Sequence, residues 1–381
     1  MEEGRTRPER VVTQAVVQWF VRFAQVEASG AVVMLACAAV SLVAANSAWS
    51  ERLFHVWGTE ASLQIGSAQL TRSIHHWIND GLMALFFFVV GLEIKRELLA
   101  GELSDRAGAA LPVAAALGGM VMPAGIYLAL NHGRQHAHGW GVPMATDIAF
   151  SLGVLALLGR RVPLGLKVFL AALAIVDDIG AILVIAVVYT GTIAWGHLLV
   201  AGGLLLVLVI ANRADVQRPL VYVLVGLGVW LAFLKSGLHP TLAGVLVAMT
   251  VPAHSRVPGP QFAAQARALI DEFERTDRNA GARPSNQHCK AVIEALEHLC
   301  HLAETPLRRI IRTLHPWVTF GILPAFALVN AGIALPGRFG AVFTEPMPVG
   351  IILGLLVGKP VGILLASWIV VRSGVGRLPA G

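Results

Sequence analysis

The chain has 381 residues, 56% of them hydrophobic and only 14% charged, and its mean hydropathy is +0.70. A soluble domain carries about 25% charged residues, so this composition excludes a soluble enzyme or binding module and indicates an integral membrane protein. The net charge of +6 does not indicate a nucleic-acid partner, because the basic residues gather in loops on one side of the apolar segments, which is a topology signal.

The apolar segments approach the roughly 20 residues that a helix needs to span a bilayer, which excludes the ten-residue alternating strands of a barrel. Residues 1–26 form a polar cytoplasmic segment that mixes Glu2, Glu3 and Glu9 with Arg5, Arg7 and Arg10. The apolar run that follows is too long for a signal-peptide core and is retained as span one, 27–48. In 49–75, Leu63-Gln-Ile-Gly-Ser-Ala-Gln-Leu70 has apolar ends around Gly66-Ser67, which predicts a short surface β-hairpin over 63–70. Spans two and three are predicted at 76–94 and 108–130. Span four, 140–158, holds Pro143, Thr146 and Asp147. A proline and polar groups at membrane depth predict a broken helix whose freed backbone lines a cavity. Span five runs from Leu164 to Tyr189, and spans six to eight cover 193–211, 219–234 and 238–252. A polar cytoplasmic insert, 253–313, is predicted to hold amphipathic helices at 261–277 and 287–303. Spans nine (314–334) and ten (347–371) bring the total to ten. With the N-terminus inside, and leaving out the insert, 14 basic residues lie on the cytoplasmic side against 5 outside, which predicts both termini in the cytoplasm. Cys37, Cys289 and Cys300 form no disulfide framework. The spacing of His288, Cys289, His298, Cys300 and His301 matches no standard zinc site.

Four ionisable side chains fall inside predicted spans: Asp147, Asp177, Asp178 and Lys359. A charge in hydrocarbon costs several kcal/mol, so each needs a physical reason to be there. Two adjacent carboxylates oppose one another's ionisation, whereas a nearby cation favours it. Lys359 can balance one aspartate and leave another to take up either a proton or a small hard cation. Competition for one site is the simplest chemistry of exchange. Sodium needs oxygens in place of its water, and Asp177, Asp178, Thr146, Asp147 and the unwound carbonyls of span four are the candidates. A static ion pair is the alternative, but it needs one acid per Lys359 and three are present. Glu93, Lys95, Arg96 and Glu97 close span two, either as a solvated ladder or as the mouth of a cation funnel. His239, between spans seven and eight, titrates near neutrality or is an ordinary loop histidine.

Several stretches together resemble the NhaA-type bacterial sodium/proton antiporters. They include Ala145-Thr-Asp-Ile-Ala-Phe-Ser-Leu-Gly153, Leu173-Ala-Ile-Val-Asp-Asp-Ile-Gly-Ala181, Asn79-Asp-Gly-Leu-Met-Ala84 and Val90-Gly-Leu-Glu-Ile-Lys-Arg-Glu-Leu98. Leu234-Lys-Ser-Gly-Leu-His239, Leu314-His-Pro-Trp317, Leu328-Val-Asn-Ala-Gly332 and Gly358-Lys-Pro360 belong to the same set. The similarity covers about 20–252 and 314–380. It implies an all-α polytopic membrane protein of about ten transmembrane helices with an inverted-repeat fold, a discontinuous helix and the short hairpin. It further implies electrogenic export of Na⁺ or Li⁺ against inward protons across the bacterial inner membrane, with activity rising at alkaline pH. No cofactor and no catalytic residue are expected, and the implied partners are the lipid bilayer and a second copy paired through the 63–70 hairpin.

By the same resemblance Asp178 is the principal cation- and proton-binding carboxylate, and Asp177 is its gating partner, bridged to Lys359. Thr146 and Asp147 mark the break in the first discontinuous helix, while Glu93, Arg96, Glu97 and His239 match positions tied to the pH response. The sequence departs from the family pattern where Ile311-Arg312 replaces Glu-His ahead of His315-Pro-Trp317. The family pattern also continues past Arg377-Leu-Pro379 into two further spans, one of them the second discontinuous helix. The corresponding expectation here is a shortened member whose second repeat is reduced to span ten. Two rival functions follow from the sequence: a truncated scaffold of the same family that transports nothing, and an intramembrane aspartyl protease. The protease needs two aspartates facing one another across a water, whereas adjacent helical residues point about 100° apart.

Overall fold

The computed structural model describes residues 29–65, 68–134, 136–146, 151, 155, 162–188, 190–280, 287–335 and 343–376. Within these, the apolar stretches fold as helices because every backbone polar group in hydrocarbon must be satisfied inside its own segment. Helix α1 (Ser29–Ala45) meets α2 (Ser50–Gly58) at 114°. A hairpin follows, built of β1 (Glu60–Ile65) and β2 (Ala68–Ser73), and α3 then spans Ile74–Ala100. The chain continues through α4 (Arg106–Asn131), a 3₁₀ helix (Ala137–Met144) and α5 (Leu164–Val188). Next come α6 (Trp195–Arg213), α7 (Pro219–Ser236) and the short α8 (Thr241–Thr250). Helices α9 (Gly259–Ala280) and α10 (Gln287–Ala303) make up the polar insert. Helix α11 (Pro306–Trp317) runs through a π turn into α12 (Leu323–Asn330), and α13 spans Pro346–Arg372. Among the described residues six helices, α3 to α7 and α13, are long and apolar enough to cross a membrane, and the bent α1–α2 pair makes a seventh if taken as one span.

The hairpin is longer than its predicted apolar centre. Leu63 pairs with Leu70 as expected, but the ladder continues outward to Glu60 opposite Ser73. Backbone pairing extends past the apolar positions because Ile74 N donates to Thr59 O at 3.0 Å and the Ser73 side chain caps α3. The helix that carries span nine also starts earlier than hydropathy indicates, at Pro306. Thr305 accepts from Arg308 N, and proline sits at the first helical position, where its missing N–H costs nothing. The first turns of α11 are amphipathic: Leu307 and Ile311 are buried while Arg312 pairs through both guanidinium nitrogens with Glu304 at 2.9 Å. The residues that replace the family's Glu-His therefore act as a core contact and a surface ion pair.

The buried residues form two main cores. One joins α3, α6, α7, α8 and α11 through Leu92, Leu208, Tyr222, Val229, Phe233, Val247 and Leu307. The other joins α4, the 3₁₀ helix and α5 through Ala115, Met120, Met144, Leu173 and Val176, with Ile363 of α13 packed against it. A bridge of Val90, Ile94, Ile175 and Ile182 ties α3 to α5. Close backbone approach sets the second core: a Cβ on Gly118 of α4 would collide with the Gly362 carbonyl of α13, and one on Gly362 with the Gly118 carbonyl. Only glycine fits at either position.

Candidate ion-binding site

Asp177 is the fourteenth residue of α5, about 20 Å along a helix that rises 1.5 Å per residue, which puts it near mid-membrane depth. Its side chain is 2% exposed. Across from it, α13 contains a π turn, Gly354–Gly358, immediately before Lys359 and Pro360. Such turns absorb the mismatch that a proline imposes on the hydrogen-bond ladder, and they recur at functional sites. The turn's glycines allow the approach, since a Cβ on Gly354 would lie 2.9 Å from Pro143 and one on Gly358 3.0 Å from Pro123. Lys359, its side chain 11% exposed, is thereby aimed at the end of the 3₁₀ helix.

That 3₁₀ helix ends where the sequence predicts a break. Met144 is its last residue, and Ala145 has extended backbone with ψ 144°. At this change of direction Lys359 Nζ donates to the Met144 carbonyl in a short hydrogen bond. The same ammonium lies 2.9 Å from Asp177 Oδ2. Thr146 Oγ1 also donates to Oδ2, in a second short hydrogen bond. Three elements, α5, α13 and the unwound segment, thus converge on one carboxylate oxygen. Asp177 Oδ1 is buried and has no hydrogen-bond partner among the described residues. An unsatisfied buried carboxylate oxygen is costly and calls for a ligand, and a proton or a small cation would meet the need.

The structure brings together Thr146, Asp177 and Lys359. Asp178, half-buried, occupies the next position on α5, about 100° around the helix from Asp177. Asp147 lies outside the described residues. Glu93, Arg96 and Glu97 are half-buried in the last turns of α3, whereas His239 is exposed in the turn between α7 and α8. Helices α3 and α8 run parallel, with Gly244 against Ala84 and Gly91 against Ala248. His239 therefore sits at the opposite end of this helix pair from the Glu93, Arg96 and Glu97 group.

Two features escape sequence reasoning. The Met144 carbonyl carries no residue-type signal, although Pro143 at membrane depth hints at freed backbone. Lys95 Nζ donates to the Met249 and Val251 carbonyls, both at 2.6 Å, and so places a cation at the C-terminal end of α8. Its position among Glu93, Arg96 and Glu97 suggests only a solvated ladder. A reciprocal amide pair, Asn79 with Asn330 at 2.8 and 3.2 Å, joins a π turn within α3, Trp77–Leu82, to the end of α12.

The model for the family Na⁺/H⁺ antiporter 1 matches residues 21–381. The chain is 48% identical to the Na⁺/H⁺ antiporter NhaA of Oleidesulfovibrio alaskensis over 362 residues, covering 95% of this chain and 80% of that protein. It is 48% identical to Na⁺/H⁺ antiporter NhaA 2 of Syntrophotalea carbinolica, covering 96% and 83% respectively. It is 46% identical to the corresponding protein of Koribacter versatilis, covering 96% and 79%.

Proposed function

The chain belongs to the Na⁺/H⁺ antiporter 1 family, and from that premise we propose how its own residues exchange Na⁺ for H⁺. It is a multi-pass membrane transporter rather than an enzyme. The exchange centre is the α5 aspartate pair, with Lys359, Thr146 and the carbonyl end of the 3₁₀ helix as its wall. The observation that carries this reading is the Asp177 carboxylate, held by Lys359 and Thr146 on one oxygen while the other stays buried without a hydrogen-bond partner among the described residues.

In the cycle, Na⁺ arriving from the cytoplasm displaces protons from the aspartates and is held by Asp178, with oxygens of Asp177, Thr146, Asp147 and freed backbone carbonyls in place of its water. Asp177 remains tied to Lys359 while the site is protonated. When Na⁺ draws Asp177 away, the ammonium keeps its bond to the Met144 carbonyl. The loaded site then opens outward, releases Na⁺ and takes up protons. Because a carboxylate holds a proton or a cation but not both, the two substrates compete for the same groups. Li⁺ is exported by the same chemistry, and electrogenic exchange, as the family resemblance implies, needs a second proton per cation beyond the one exchanged at Asp178.

The ten-span, inverted-repeat organisation, the inner-membrane location with both termini cytoplasmic, and a homodimer paired through the hairpin belong to this same proposal. They are supported by the distribution of basic residues and by the family resemblance. Glu93, Arg96 and Glu97 at the cytoplasmic end of α3, and His239 at the other end, are assigned to the pH response. The test is Na⁺-dependent proton efflux from acid-loaded proteoliposomes. Asp178→Asn abolishes it if the assignment is right, and undiminished efflux in that variant would refute it.

A further inference from the structure

The core of α3, α6, α7, α8 and α11 is bordered by a cavity of about 370 Å³ between α3, α7 and α8. Its size falls in the range of small-molecule pockets. Gly81, Ala84, Gly226, Ala243 and Gly244 give it a floor of small residues, and Trp77 and Trp230 flank one end. Both indoles are pinned: Trp77 Nε1 donates to Ala61 O at 3.0 Å and Trp230 Nε1 to Asp80 O at 2.8 Å. Their rings lie 6.3 Å apart, so the end wall is preformed. The side walls face outward, since Leu85, Val223 and Leu227 are exposed. In a membrane protein these residues look into hydrocarbon, so the groove opens towards acyl chains and not towards water.

Three charged or titratable side chains, Arg72, His76 and Asp80, stand on the far side of the two tryptophans. They border a second, much smaller recess that shares Trp77 and Trp230 with the groove and is otherwise lined by Leu70 and Leu234. Arg72 makes no ion pair among the described residues. An arginine beside paired tryptophans, at the hairpin end of the spans, is an arrangement suited to the headgroup layer.

We infer that this groove is a phospholipid site, with one acyl chain lying along Gly81, Ala84 and Gly226 and the phosphate held by Arg72 and His76. Asp80, at the same mouth, favours a headgroup that carries an ammonium beside its phosphate over a purely anionic one. The inference rests on the membrane location of the chain and on nothing about its transport chemistry. The lipid fills space that would otherwise weaken the packing of α7 on α3.

The test uses the full chain in vesicles of phosphatidylethanolamine and phosphatidylglycerol doped with a phosphatidylethanolamine probe that bears a photoreactive diazirine in its acyl chain. Adducts are mapped by peptide mass spectrometry. The expected result is several-fold enrichment at Leu85, Val223 and Leu227 over Leu199 and Leu206 of α6, although these two are, on average, the more exposed. Gly81→Leu, whose side chain enters between the two indoles, removes the enrichment. Leu227→Trp serves the same purpose if that variant does not fold. Arg72→Gln lowers enrichment of the phospholipid probe but not of a diacylglycerol probe with the same tail. Equal labelling of the groove and α6, or enrichment that survives filling of the groove, overturns the site. Efficient Val223→Cys cross-linking between two copies would make the groove a subunit interface and overturn it as well.

Discussion

The two cores solve opposite problems with the same building material. The core of α3, α6, α7, α8 and α11 is built of apolar side chains, with Leu92, Leu208 and Val229 fully buried. The buried hydroxyls of Ser236 and Thr250 bond to carbonyls of their own helices. The core of α4, α5, α13 and the 3₁₀ helix holds a buried ion pair, a helix end in mid-membrane and a π turn. Hydrocarbon tolerates irregular backbone only where it is buried in protein, and here the Met144 carbonyl meets the Lys359 ammonium. The lesson is that π turns occur on both sides of the bridge formed by Val90, Ile94, Ile175 and Ile182, in α3 and after α11 as well as in α13. Only the side of the second core combines one with a broken helix end and a buried ion pair.

The largest effect should come from breaking the ion pair. Lys359→Ala leaves Asp177 buried without its counter-charge and should cost about 3–5 kcal/mol, read as a fall in the detergent-solubilised unfolding temperature. Adding Asp177→Asn should restore most of that loss, and a double variant as unstable as the single one would show that the pair does not hold the second core together. Next come the backbone contacts. Gly362→Val in the second core and Gly244→Val in the first both drive a side chain into a carbonyl, and each should cost about 1–3 kcal/mol by overpacking. The comparison is sharpened if Gly362→Val also shifts the pH profile of exchange while Gly244→Val lowers stability alone. Lys95→Ala removes a cation from the C-terminal end of α8, worth about 1 kcal/mol, and should leave the apparent Na⁺ affinity unchanged in a proteoliposome assay.

The smallest effect lies outside both cores. The loop carboxylate Asp215 is held below the ordinary aspartate range by hydrogen bonds from Gln217 and His254 and by the nearby charges of His254 and Arg256. Its native value is depressed, so its contribution is present above the unfolded carboxylate value and disappears as the pH falls through the lowered native one. Asp215→Asn should therefore narrow the stability difference between neutral and strongly acidic solution by a small amount, measured as unfolding temperature against pH.

Much of this division can be read from the sequence. Charges in apolar runs stand out, and Asp177, Lys359 and Thr146 meet because only a few polar groups at that depth can satisfy one another. Pro143 likewise marks where a helix must stop. What the sequence hides is geometry made of backbone. The Met144 carbonyl, the π turn before Lys359 and the carbonyls reached by Lys95 depend on how helices cross, and no residue type announces them. The early start of α11 is hidden for a related reason: its first turns are amphipathic, so a hydropathy window assigns them to the insert. The hairpin outgrew its apolar centre because ladder hydrogen bonds do not require apolar side chains.

The mutual contact of Gly118 and Gly362 has a mechanical consequence. Main chain rests on main chain there, flanked by Ala366 and Met122, so a tilt of α13 against α4 turns about this point. Lys359 lies three residues from that fulcrum, about 4.5 Å along the helix axis. On so short a lever arm, a tilt of the distal part of α13 reaches the ammonium as a displacement of only a fraction of an ångström. That is enough to loosen a 2.9 Å contact with Asp177 without carrying the lysine out of the site.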